Sequence, residues 1–124
     1  LGVRAMVFNE PPLLMALSND IGYECVFERP IELWADAGDV LFAISSSGQS
    51  ANILLGVEAA RRHDCRIVTL SGFSPGNPLR GLGDLNFYVS SGAYGHVELT
   101  HGAITHFFTD HAAQALKAAG DSQV

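Results

Sequence analysis

Basic residues are scarce in this chain of 124 residues: seven Lys+Arg stand against thirteen Asp+Glu, a formal charge of −6. A surface that coats nucleic acid or an anionic membrane needs clustered cations, so both partners are excluded as expectations. Charged residues of all kinds reach only 16 % while hydrophobic residues reach 48 %, the reverse of a disordered composition. No apolar run approaches the roughly 20 residues of a membrane span. The start, LGVRAMVFNEPP, has neither the basic n-region nor the apolar stretch of a signal peptide, which makes a cytoplasmic location the expectation. Cysteine is limited to Cys25 and Cys65, with no CxxC pair and no zinc-finger spacing, so reduced structural thiols are expected. No repeat or linker breaks the sequence. It reads as one domain over residues 1–119, followed by a frayed polar tail at 120–124.

What is present alternates in a regular way. Val40–Ile44, Arg66–Leu70 and Asp84–Val89 are short apolar runs rich in β-branched or aromatic residues, each closed by Ser or Gly, and read as buried strands. The first shows no polar alternation, as for a parallel strand covered on both faces. Ala51–Arg62 carries Ile53, Leu54, Val57 and Ala60 on one stripe and ends in Arg61-Arg62, where a helix dipole favours cations. Helices are also predicted over Pro12–Leu17, over Tyr23–Ala35 with a break at Pro30, and over Gly95–Ala119; Asn77–Leu82 is a short turn of helix. The alternation predicts an α/β three-layer sandwich on a parallel sheet, Rossmann-like in the flavodoxin-like manner. Three strands are few for such a sheet, and the first residue is Leu, so an N-terminally truncated domain is expected.

The most informative segment joins a buried strand to a helix through Ser45-Ser46-Ser47-Gly48-Gln49-Ser50. Such a loop places backbone N–H groups and hydroxyls at a helix start, beyond the carboxyl end of a parallel strand. Both features favour a small anion, above all phosphate. There is no Walker lysine and no GxGxxG, so neither a nucleoside triphosphate nor a dinucleotide is favoured. The alternative is that these serines only cap the helix, Ser50 being a good N-cap for Ala51.

Three blocks carry a resemblance: Asn19-Asp20-x-Gly22-Tyr23; Gly38-Asp39-Val-Leu through Ser45-x-Ser47-Gly48-x-Ser50; and Glu98 with His101-x4-His106. In this order and spacing they resemble the sugar isomerase (SIS) domain, and within it the phosphoheptose isomerases. Those enzymes interconvert sedoheptulose 7-phosphate and glycero-manno-heptose 7-phosphate. The resemblance runs from the start to about His111. It implies that Ser45, Ser47 and Ser50 hold the sugar phosphate, that Ser46 and Asp20 line the sugar pocket, and that His106 is the catalytic acid/base. It also implies a zinc ion held in part by Glu98 and His106, a homotetramer or dimer, and a phosphorylated sugar as ligand.

On a helix of about 100° per residue, Glu98 and His106 lie roughly 80° apart and can face one cleft. Thr105 and Thr109 share that side, while Val97, Ile104, Phe107, Phe108 and Ala115 form the apolar side. His101 is about 140° from His106, so the two are not expected to share a ligand. His111 falls on the apolar side as a packed or interface residue. Several features depart from the family pattern. The upstream Asn-Gly-Gly-Ser loop and the helix bearing the catalytic Glu are absent, Glu98 stands where Gln is usual, and Phe73, Pro75 and Pro78 stiffen the loop after the second strand. Phe73 is expected to pack under that loop. A non-catalytic phosphosugar-binding or partner-binding module, like the replication-initiator-associating relatives, is the alternative. Phe8, Phe27, Trp34, Phe107 and Phe108 are many aromatics for so small a core, an independent reason to expect self-association.

Overall fold

The structure is a computed structural model that describes residues 4–121. Its chain order is helix α1 (Pro11–Asp20), a 3₁₀ turn at Tyr23–Cys25, α2 (Glu28–Trp34), β1 (Val40–Ser45), α3 (Ala51–Arg62), β2 (Arg66–Ser71), a second 3₁₀ turn at Pro78–Gly81, β3 (Leu85–Tyr88) and α4 (Tyr94–Asp121). The strands lie in sequence order, both pairs parallel, with Val40 opposite Arg66 and Val68 opposite Leu85.

The expected break near Pro30 falls earlier. The helix restarts at Glu28, which leaves Pro30 in the first turn, where a missing N–H costs no hydrogen bond. The last helix reaches Asp121, so two residues of the expected tail are helical; Ser122–Val124 lie outside the described residues.

Alternation along β1 and β2 divides the core. Ala43 and Ile67 join Val57 of α3 and Leu79 in one buried cluster, with Leu41, Ile53, Leu54 and Leu82 at its margin. Behind α3, Ile31 of α2 packs on Ala59 and Ala60 with Phe8 and Phe27 alongside. Arg62 ties these two helices externally, donating to Glu28 and Glu32 at 2.9 Å each. Its guanidinium and that of Arg29 hold the Glu32 carboxyl below its ordinary range, the Arg29 hydrogen bond being the larger cause.

The other sheet face is covered by α4 alone. Phe108 sits edge-on to Phe42 of β1 and Phe87 of β3, at 5.1 and 5.6 Å between ring centres. This gives the three layers. The expectation that β1 is covered on both faces is corrected, because Val40, Phe42 and Ile44 remain 55 %, 39 % and 40 % exposed. β1 is the sheet edge, and α4 covers its outer face only in part. Among the described residues no helix is long and apolar enough to cross a membrane.

Candidate functional site: the serine loop and the face of the last helix

β1 ends at Ser45, which is nearly buried, and the chain turns sharply through Gly48 at φ +66°. Only glycine takes that conformation without strain, and here a Cβ would also fall 2.0 Å from Oδ1 of Asn77. The turn is closed from within: the Gly48 N–H donates to the carbonyl and to Oγ of Ser45, both at 3.1 Å. Ser45 Oγ also meets Ser50 Oγ at 3.1 Å, and the Gln49 N–H reaches Ser47 Oγ at 3.3 Å.

Ser50 occupies the N-cap position of α3 but its hydroxyl caps nothing. Among the described residues, the N–H groups of Ser50, Ala51 and Asn52 have no intramolecular acceptor. The positive end of a 12-residue helix is therefore open. The N-cap bond expected of Ser50 on the capping reading is not formed. A concavity of about 400 Å³ adjoins this helix start, lined by Tyr23, Glu24, Ser50, Ala51 and Asn52.

A second concavity, of about 380 Å³, opens on the other side of the loop. Its lining is Ile44, Ser46, Glu98, His101, Gly102 and Thr105. The Ser46 hydroxyl donates to Glu98 Oε1 at 3.4 Å, so the loop and α4 meet here. Two contacts dock the helix. Gly72, which follows β2, leaves room for Val97, whose methyls would be 2.8 Å from a Cβ there, and His101 Nε2 meets the Ser71 carbonyl at 3.3 Å. A carbonyl accepts, so Nε2 carries the proton, and the buried Nδ1 has no partner among the described residues.

Ser45, Ser46, Ser47 and Ser50 thus share one loop, and Ser46 meets Glu98. Asp20 lines neither concavity; its carboxylate is exposed and accepts from Asn19 Nδ2 at 3.0 Å, while Tyr23 of the same block and the adjacent Glu24 line the first concavity. His106 is exposed on α4 and is not in the lining that contains Glu98. His111 is exposed rather than packed in the core, stacked on Phe107 at 5.9 Å. Phe73 adopts φ +58° and packs edge-on to Tyr94 at 4.8 Å, with Tyr88 Oη donating to its carbonyl. Sequence reasoning missed His101 and Gly102 as lining residues. Their signal was available: Glu98, His101, Gly102 and Thr105 follow the i, i+3, i+4, i+7 pattern of one helix face.

Glu98 and His106 are two donors, and among the described residues no group of three or more His, Cys, Asp or Glu side chains comes together. Zinc takes four ligands, three or four of them from protein, so these residues alone do not make its site. The cysteines are unsuited too. Partial burial, reinforced by Glu28, pushes the Cys25 thiol up, and burial with the nearby Asp39 does the same for Cys65.

The family model for the SIS domain matches residues 1–72. The chain belongs to the SIS domain family. Within it, the chain is similar to the phosphoheptose isomerase of Sodalis glossinidius, 40 % identical over 93 residues, or 75 % of this chain and 47 % of the relative. The phosphoheptose isomerase of Vibrio parahaemolyticus is 37 % identical over 106 residues, 81 % of this chain and 55 % of its own length. Among solved SIS structures, a phosphoheptose isomerase from Neisseria gonorrhoeae superposes with a TM-score of 0.77 at 31 % identity, covering 82 % of this chain and 57 % of that one. One from Francisella tularensis gives the same score at 26 % identity. The chain spans about half the length of the curated relatives it matches.

Proposed function

We propose that this SIS domain belongs to a phosphosugar isomerase of the phosphoheptose type, and that the serine loop holds the phosphate. The observation that carries the reading is the uncapped start of α3: Ser50 sits at the cap position without capping, and Ser50, Ala51 and Asn52 line a concavity. Amides at a helix start and neutral hydroxyls bind a dianion without a fixed cation, which suits a ligand that must leave again. Relatives named phosphoheptose isomerase, alike in sequence and in fold, supply the substrate class.

In this reading the phosphate anchors one end of the sugar on Ser45, Ser47 and Ser50, and Ser46 and Asp20 contact the chain. Interconversion of ketose and aldose moves a proton between C1 and C2 through an enediol and a second proton between O1 and O2, with no net oxidation. His106 is the acid/base, as its position in the family pattern implies, an imidazole being able both to donate and to accept a proton. Zinc is proposed only as far as the donors go: Glu98 and His106 contribute two ligands, and the others come from outside the described residues. A cytoplasmic location is proposed with it.

Self-association belongs to the same proposal. Val40, Phe42 and Ile44 on β1, Leu33 and Trp34 on α2 and Phe107 on α4 are all exposed. A second copy of this chain, as a dimer or tetramer, would remove such surface from water.

The placement of His106 outside the Glu98 lining favours a second reading, a phosphosugar-binding or partner-binding module without turnover. Titration of sedoheptulose 7-phosphate into the protein with its natural flanking sequence, with and without zinc, separates the two. Turnover that disappears in His106→Ala supports the isomerase; binding without turnover moves the assignment to the module; neither signal sinks both.

A further inference from the structure

The serine loop is held from below by a side chain that no sequence motif marks. Asn77 is 4 % exposed and lies in the segment that follows β2. Its Nδ2 donates to Ser71 Oγ at 3.3 Å, the Gly72 carbonyl at 3.1 Å and the Ser74 carbonyl at 2.8 Å. Two N–H groups are thus shared among three acceptors. Its Oδ1 accepts from the Arg80 N–H at 3.0 Å and caps the turn at Pro78–Gly81. The same carboxamide lies against Gly48, where an added Cβ would come within 2.0 Å of Oδ1. Two residues on, the Leu79 N–H donates to the Gly48 carbonyl at 3.1 Å. Leu79 is fully buried in the cluster with Ala43 and Val57, so this donor is fixed by the core.

Gly48 is therefore clamped on three sides: its N–H by Ser45, its carbonyl by Leu79, and its α-carbon by Asn77. The amides of Ser50, Ala51 and Asn52 begin two residues further along, and the hydroxyls of Ser45, Ser46 and Ser47 lie just before Gly48. An anion site built from backbone amides binds tightly only if they are already aimed, because each loop residue ordered on binding subtracts from affinity.

We infer that Asn77 is a positioning residue for the anion-binding serine loop: it aligns the loop through Gly48 without itself touching the ligand. The inference rests on the reading of that loop as a phosphate site. It also gives the Pro-bearing segment after β2 a task, since Pro78 starts the turn that Asn77 caps and that carries Leu79 to Gly48.

Two substitutions test it in the full protein, titrated with inorganic phosphate and with sedoheptulose 7-phosphate. Asn77→Ala removes the clamp and the cap together. Asn77→Asp keeps an acceptor for the Arg80 N–H, and Asp is a good cap, so the turn at Pro78–Gly81 keeps its cap. It loses the donors to Ser71, Gly72 and Ser74 and sets a negative charge under the loop. Both variants are expected to weaken phosphate binding about tenfold. For Asn77→Asp the loss should grow at low ionic strength. In turnover, KM should rise by a similar factor with kcat changed by less than about threefold. A merely structural residue would lower the melting temperature of Asn77→Ala and leave the affinity of folded Asn77→Asp at the wild-type value. That result overturns the inference while the phosphate reading stands. A wild-type protein that binds neither probe overturns the phosphate reading, and the inference with it.

Discussion

Two regions carry the residues that the SIS family pattern marks, and the molecule holds them in opposite ways. Around the serine loop every restraint is short and internal: Ser45 closes the turn, Leu79 and Asn77 brace Gly48, and the bracing residues are buried. Along α4 the support is confined to the side that faces the sheet, through Val97, His101 and Phe108. Val97 and His101 are buried against the end of β2, Glu98 meets Ser46 at 3.4 Å, and by His106 the side chain is exposed with no hydrogen bond among the described residues. Binding a phosphate needs only the first region. Moving a proton needs the second held as firmly, and that firmness has to come from elsewhere, such as a second copy against the exposed apolar surface. On the proposed reading, the serine loop is braced by its own chain while His106 is left facing solvent.

The largest effect that would sharpen this contrast is on turnover. His106→Ala should lower kcat by about 10²–10⁴ while leaving stability within about 0.5 kcal/mol, because an exposed side chain supports no packing. Rate assays paired with denaturant unfolding check both halves; a marked loss of stability would break the contrast. Leu79→Ala should do the reverse and cost about 2–5 kcal/mol of folding free energy, read from the denaturant midpoint, since it opens a cavity in the cluster under the loop. Ser50→Ala should weaken phosphate binding about tenfold and cost only the hydrogen bond to Ser45 Oγ in stability, because its hydroxyl caps no amide. If unfolding shows instead that the variant loses stability as an N-cap substitution does, the capping reading returns.

The smallest effect lies away from both regions. Arg62→Ala removes the link from α3 to Glu28 and Glu32. The Glu32 carboxyl is held below its ordinary range by Arg29 and then Arg62, so its contribution is present above its unfolded pKa and lost as pH falls through the folded one. The variant should therefore be slightly less stable than wild type near neutrality and indistinguishable in acid, as thermal melts across pH would show. The pair is solvent-exposed, which keeps the effect small.

Much of the fold was legible because its signals are local. Ala51–Arg62 has an uninterrupted apolar stripe and its helix has those bounds; the strand runs at 40–44 and 66–70 each gained only one residue. The contacts that make the site were not legible, because they join residues far apart in sequence: Ser46 to Glu98, Ser71 to His101, Gly48 to Asn77. Asn77 in particular looked like an ordinary turn residue before a proline. The misreading of β1 has a similar origin. Its unbroken apolar run is that of a strand buried on both sides, and only the position at the sheet edge shows that one of those sides is left open.

That Ser50 turns its hydroxyl to Ser45 rather than to the helix amides has a thermodynamic consequence. A helix whose first amides find no acceptor forgoes roughly 1 kcal/mol that a working cap would supply. A bound phosphate is then both ligand and cap, so occupancy and the stability of α3 are linked: saturating phosphosugar should raise the melting temperature and slow amide exchange first in the opening turn of this helix. Replacing Ser50 with a residue that does cap would stabilise the empty protein and dull its response to ligand.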